Sequence, residues 1–498
     1  MRLKLIERIP ISWACYFALA IAGCQWLLHT GTNFILLHFL YILLWALAFN
    51  AAGGLTRASG AYIFWFGILS VLISTTAKLV LGEAPDTGLY APVLLMGVST
   101  AAMAAILVAA LAVRRVTRNA SSLAQKLPHS GKQGYELIAI GCLLIGLLAP
   151  FFISLLANDG SNFSSAAIRL NLFLPLALIF GTIVAIQNSG GRRSTNWIVL
   201  LAGLQYFYAS LMSFTKEGML TPIVCWFMGL LFARFRLRLV HILCMAAIAI
   251  AFAKYLAPMA QIGRVQPNLE RADQFERLAL ATDILLHREK YDQSLTYSEE
   301  VEKQQIEHSY YSHPINGFVD RLTMVGADDL LISYSASGHY SGYAYLWFSF
   351  YNWLPHILVP DKDALFPANA GGNEYAREMG MISDADHTTG ISFGVPAEAF
   401  HFDGWRALLL ILAPLWFLHF VVVDLIAGDV RRSPWGLFYV AYFSHMAAES
   451  AVGGLIGTIF YINLAVVVVM LSGTYVAPLV GQLLHNPERR NRTGIIRT

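Results

Sequence analysis

The residues best suited to chemistry in this chain are cations that can grip phosphate and side chains that can move a proton. Thr215-Lys216-Glu217-Gly218 sets two opposite charges between apolar segments, and charge at membrane depth usually faces a cavity or a partner. Lys216 there reads as a ligand for an anionic headgroup with Glu217 orienting it; a self-paired turn is the plainer alternative. Arg169, Arg264 and Arg321 carry the planar fork that bonds phosphate oxygens in pairs, and Arg264 follows an apolar segment closely. The densest polar run, residues 369–405, holds Asp384, Asp386, His387, Glu398, His401 and Asp403. Glu398 stands in the apolar stretch 394–400, a setting that raises a carboxyl pKa toward the operating range of a general base. His387 is the competing base, because an imidazole titrates at about 6.5 without any shift. His401 reads as interfacial.

Most of these groups belong to, or border, one long polar insertion, 258–404, in a chain that is otherwise apolar. The 498 residues are 57% hydrophobic and 13% charged, with mean hydropathy +0.56. A soluble domain averages about 25% charged residues, and stretches of about 20 apolar residues, enough to span a bilayer, recur here. The fold class is therefore all-α polytopic membrane protein. Spans are expected near 10–29, 33–51, 60–82, 91–113, 136–156, 168–187, 196–214, 219–233, 238–257, 405–427, 434–450 and 453–482, about twelve helices. The alternation of a membrane β-barrel is missing. The five cysteines all lie in apolar segments and read as small core residues. No Cys/His spacing suggests zinc; no metal and no cofactor is expected.

Basic residues set the orientation. Arg2, Lys4, Arg8, Arg57, Arg114, Arg115, Arg192, Arg193, Arg431, Arg432 and the arginines after 488 occupy one set of alternate loops, while 29–32, 83–90 and 158–168 are nearly free of Lys and Arg. The positive-inside rule then puts both termini in the cytoplasm and the insertion outside. The organisation is nine spans over 1–257, the outward loop domain 258–404, three spans over 405–484 and a basic cytoplasmic tail, 485–498. The insertion is expected to fold, because a loop this long is usually functional or disordered. Its candidate helices are 269–290, with Leu278, Leu280, Leu285 and Leu286 as an apolar stripe, and 318–333. The aromatic segment 342–358 suits the membrane interface. Within the spans Lys78, His445 and Glu449 either line the outward cavity or snorkel.

The chain has no Walker sequence and no HExxH, and its first outward loop has no acidic pair. What remains resembles the Wzy-type oligosaccharide repeat-unit polymerases, the bacterial O-antigen and exopolysaccharide polymerases. The likeness is architectural over the whole chain and sharper in three places. Ser213-Phe214-Thr215-Lys216-Glu217 resembles the family's basic motif at an outer helix end, and Asp320-Arg321 its loop arginine. Leu354-Pro355 with Pro360-Asp361-Lys362, then 388–392, then Pro396-Ala397-Glu398-Ala399-Phe400 and Gly404-Trp405 resemble its proline–lysine to glutamate run; His401-Phe402-Asp403 departs from the usual filler. The resemblance implies a GT-C-like helical fold in the bacterial inner membrane. It implies transfer of a growing glycan from undecaprenyl pyrophosphate to a sugar hydroxyl of a second lipid-linked repeat unit, on the periplasmic face and without metal. Glu398 or His387 would be the base, and Arg264, Arg321, Lys216, Arg169 and Glu217 would hold the pyrophosphate. Implied partners are the lipid-linked oligosaccharide as donor and acceptor, membrane lipids, a chain-length regulator and a flippase, with no nucleic acid. An O-antigen ligase-like transferase and a polysaccharide or lipid transporter are the alternatives.

The orientation is testable with single cysteines at Ser122 and Asn373 in a chain stripped of its own. Only the second should react with an impermeant thiol reagent added to intact spheroplasts; equal outside labelling of both would overturn the topology.

Overall fold

Backbone amides inside a bilayer find no water, so a chain of this composition has to satisfy them within helices. The computed structural model describes residues 4–117, 120–128, 131–158, 168–264, 273–287, 291, 310–311, 324–354, 372–382, 391–443, 447 and 450–483. Among the described residues there is no strand, only an isolated bridge between Arg57 and Asp429. The first nine helices are α1 (Ile11–Leu27), α2 (Thr32–Ala52), α3 (Ala58–Val80), α4 (Pro92–Thr117), α5 (Lys132–Asn158), α6 (Ile168–Asn188), α7 (Trp197–Met212), α8 (Lys216–Phe232) and α9 (Leu239–Arg264). The insertion contributes α10 (Gln274–Leu286), α11 (Val325–Ala336), α12 (Ala344–Trp353) and α13 (Gly372–Glu378). The chain then runs through α14 (Val395–Ala427), α15 (Pro434–Phe443) and α16 (Val452–Gln482).

A helix stands at each of the twelve expected spans, but eight are long and apolar enough to cross a membrane: α2 to α6, α9, α14 and α16. Among the described residues the other four are shorter; α1 and α8 have 17 residues, α7 has 16 and the described part of α15 has 10. Two boundaries move. α9 stays helical through Arg264, and α14 begins at Val395 instead of near 405. α14 bends where Asp403 and Gly404 leave helical geometry. Beyond the bend, residues 405–427 rise roughly 34 Å, already enough for a hydrocarbon core of about 30 Å.

Two apolar cores organise the helices. In the first, α4 packs between α2 and α14, and the insertion adds Leu331 and Ile332 of α11 and Tyr375 of α13. In the second, α5 packs on α6 and on the end of α16. Gly141 makes that last contact possible, since a Cβ there would lie 1.7 Å from the Ala477 carbonyl oxygen; small residues let membrane helices approach this closely. The first half of α9, Leu239–Ala251, buries no residue. That surface is unremarkable against lipid tails, which are as apolar as leucine. Cys142 and Cys225 are buried, whereas Cys24 and Cys244 are exposed, so the core reading of the cysteines fails for those two.

The insertion is docked on helix ends. In α10 the buried residues are Ala281 and Ile284, while Leu278, Leu285 and Leu286 are exposed; the real stripe lies on the other face from most of the expected leucines. α12 packs against the start of α16 and exposes Trp347 and Tyr351, as an interfacial segment would. The bend in α14 frees the carbonyls of His401 and Phe402, and the amides of Ser341 and Gly342 take them at 3.0 Å each. Gly404 sits at φ 59°, ψ −140°, a region essentially closed to other residues. Lys78 is buried, bonds the carbonyl and hydroxyl of Thr87, and lies 4.2 Å from the Tyr310 ring centroid. His445 and Glu449 lie outside the described residues.

Ser122 is buried, with Ser121 exposed beside it, and Asn373 accepts the Ile391 amide at 2.8 Å while Glu378 is exposed; Ser121 and Glu378 are therefore the better labelling positions. Gly404→Ala should lower the stability of the purified protein by about 1–3 kcal/mol, read as an earlier thermal transition in detergent. An unchanged transition would mean the bend is not held by that residue.

Candidate functional site

Two polar clusters stand at the helix ends that the insertion covers. The first is cationic. α7 ends at Met212, and the turn to α8 carries Phe214 at φ 51°; the amides of Ser213, Phe214 and Thr215 close the carbonyls of Ala209, Leu211 and Ser210, and the carbonyls of Met212 and Phe214 are bonded by side chains instead. Arg264, closing α9, donates Nε–H to the Phe214 carbonyl at 2.8 Å, and Arg277 of α10 reaches the Met212 carbonyl at 3.3 Å. Cations at a helix C-terminus are favourable. Gly263 permits the arrangement, because a Cβ there would fall 2.1 Å from the buried Phe214 ring. α10 is started by a capping box in which Asp273 accepts from the Glu276 amide and Glu276 from the Asp273 amide; this fixes the turn that presents Arg277. Lys216 and Glu217 open α8 at the same turn, and both are partnered. Among the described residues, the Arg264 bond uses one of five guanidinium N–H donors.

The second cluster is acidic and buried. Asp329 of α11 accepts the amides of Tyr90 at 2.5 Å and Ala91 at 3.0 Å, just ahead of α4. Asp328 accepts the amide of Gly394, the N-cap of α14, at 2.7 Å. Glu398, 4% exposed, accepts the amide of Val452, the first residue of α16. Burial pushes the Asp328 carboxyl up to about 7, with the Gly394 amide opposing and Asp329 adding to the rise. Burial likewise raises Asp329 against its two amide bonds. His401 is buried; its Nδ1 stands 2.8 Å from Ser335 Oγ and its ring centroid 4.5 Å from that of Tyr375.

Of the residues expected to form one site, the structure gathers Lys216, Glu217 and Arg264 at the α7–α8 turn. Glu398 belongs to the acidic cluster, within a different apolar core. Arg169 stands apart, 5.5 Å from the Tyr461 ring centroid on α16, and its buried Nε has no hydrogen-bond partner among the described residues. Arg321, His387, Asp384 and Asp386 lie outside the described residues. The sequence reading missed Arg277, Asp328 and Asp329 as working groups. Two adjacent carboxylates between Ala327 and Leu330-Leu331-Ile332 were the available signal, since buried charge needs donors.

No family model, curated protein or solved structure matches the chain.

The Asp328 shift has a definite pH signature. Its folded pKa lies above the ordinary carboxylate value of about 3.9, so its stabilising contribution is full below that value and declines as pH rises through about 7. Melting of the wild type in detergent should therefore fall more steeply between pH 4 and 7 than melting of Asp328→Asn, which keeps the acceptor for Gly394. Equal slopes would show that Asp328 does not titrate in that window.

Proposed function

We propose that this chain is a multi-pass membrane glycosyltransferase that extends lipid-linked glycans. The observation that carries the reading is the cation cluster at the α7–α8 turn, where Arg264 and Arg277 bond the carbonyls of Phe214 and Met212 and Lys216 opens α8, on a motif expected to bind a pyrophosphate headgroup. The donor is an oligosaccharide on undecaprenyl pyrophosphate, and the acceptor is a sugar hydroxyl of a second lipid-linked repeat unit. The acceptor oxygen attacks the anomeric carbon of the donor as the bond from that carbon to the pyrophosphate oxygen breaks. The acceptor proton passes to a base, and the charge left on the lipid pyrophosphate is met by the guanidinium and ammonium groups. Arg321 completes the expected cation set at this turn, Arg169 standing apart beside Tyr461, and no metal takes part. Twelve spans in a GT-C-like arrangement, cytoplasmic termini and a bacterial inner-membrane location belong to the same proposal.

Glu398 and His387 are the candidate bases. Glu398 already holds the start of α16, so two roles have to be separated. Glutamine keeps a carbonyl acceptor for the Val452 amide but cannot take a proton. Replacing the carboxyl by alanine leaves a buried donor unmet, at a cost of about 1–3 kcal/mol.

Reconstitution with lipid-linked repeat units alone tests the whole reading. Polymer should form and should survive EDTA. Product only when lipid A–core is supplied would make the protein a ligase, and uptake without new glycosidic bonds would make it a transporter. Arg264→Ala and Lys216→Ala should each lose most activity while the protein accumulates normally, with Arg264→Lys rescuing only in part. Glu398→Gln should fold and fall by about 10²–10⁴ in rate if Glu398 is the base. Normal rates for Glu398→Gln with an inactive His387→Ala would move that role to the histidine.

A further inference from the structure

At the end of the bundle away from the insertion, the N-terminal segment crosses the ends of α2 and α4 and closes a polar cavity. The crossing is built. Asn50 accepts the Ile9 amide at 2.7 Å and donates to the Ile9 carbonyl at 2.8 Å, and the Leu55 amide donates to the Ile6 carbonyl at 2.8 Å. Gly54, at φ 63°, allows the contact, because a Cβ there would lie 2.5 Å from the carbonyl oxygens of Ile6 and Glu7. The cavity is about 170 Å³, and Arg8, Arg57 and Arg114 all line it. That is the liquid volume of roughly six waters, enough for a hydrated phosphodiester.

Its charges do not cancel. Asp424, buried on α14, takes Arg57 at 3.4 Å together with the amide and hydroxyl of Ser59 at 3.2 and 2.9 Å. Glu7 is engaged by Arg431 on the outer side. Arg8 and Arg114 remain without an acidic partner among the described residues. Both arginines also border a second, apolar groove of about 770 Å³, whose wall includes Ile11, Leu47, Leu107 and Leu111. From Arg114 back to Leu107, α4 rises roughly 10 Å, so the groove leads from the arginines along the helix. A paired cationic pocket joined to an apolar trough matches a molecule with a phosphate at one end and an acyl chain at the other.

We propose that this cavity and groove bind one anionic glycerophospholipid, its phosphate between Arg8 and Arg114 and one acyl chain along α2 and α4. The site lies at the opposite ends of these helices from the Asp329 contact and is independent of the glycan-transfer reading. Native mass spectrometry of the full-length protein in maltoside micelles tests it, with an equimolar mixture of dioleoyl phosphatidylglycerol and dioleoyl phosphatidylcholine. The wild type should retain one phosphatidylglycerol in preference by roughly tenfold or more, the scale of two surface arginines. Arg8→Gln with Arg114→Gln should abolish that preference, as should each single change in part. Arg115→Gln removes the same charge one residue away from the cavity wall and should leave the preference intact. Equal retention of the two lipids by the wild type would overturn the proposal, and so would undiminished preference in the double variant. Displacement of the lipid by millimolar glycerol phosphate would assign the pocket to a soluble phosphate and overturn the lipid.

Discussion

A backbone N–H at the start of a membrane helix has no intrahelical acceptor, and where protein covers it no water can serve either. The starts of α4, α14 and α16 meet this constraint with carboxylates: Asp329, Asp328 and Glu398 respectively. Leaving one such donor unmet costs about 1–3 kcal/mol, while burying a carboxylate costs several. The two penalties offset each other when the groups meet, and the partial positive charge of a helix N-terminus favours the pairing further. Net stabilisation from each pair is therefore modest. Its larger effect is register, because a carboxylate that must meet one amide allows α11 only one seat on the bundle.

The bend at Gly404 follows from the same seating. Straight continuation of α14 would keep the His401 and Phe402 carbonyls within the helix; the bend hands them to Ser341 and Gly342, ahead of α12. α12 in turn packs on α16, whose first amide Glu398 holds. The insertion, the upper part of α14 and the start of α16 thus form one connected polar network. Displacing any one of them would break bonds in the other two, so a substrate entering beneath the insertion would act on all three together.

The cationic cluster uses complementary physics. The Met212 carbonyl that ends α7 and the Phe214 carbonyl in the turn after it draw in Arg277 and Arg264 respectively, and the same attraction holds the guanidinium groups in place before any ligand arrives. Preorganised cations lose little freedom when an anion binds, which is the property a pyrophosphate leaving-group site needs. Placing that cluster and the buried carboxylates in separate cores divides the molecule between a part suited to gripping charge and a part suited to holding shape.

The all-helical class and the places of the eight long apolar helices, apart from the end of α9 and the start of α14, were legible in the sequence alone, because transfer of about 20 residues into lipid depends on local composition and little else. The Asp273–Glu276 capping box is local in the same sense. Bonds between distant segments were not legible. The apolar neighbours of Glu398 mark it as a candidate base with a raised pKa, but only the fold brings Val452, 54 residues later, to its carboxylate. Asp328 and Asp329 carry a local signal in the apolar residues that flank them, but the Gly394, Tyr90 and Ala91 amides that they meet come only from the fold, as does the cover of His401 from α11 and α13. Composition fixes which segments leave water, and that follows from each residue's own solvation. Which polar group meets which amide depends on how those segments pack, and a one-dimensional pattern carries no record of it.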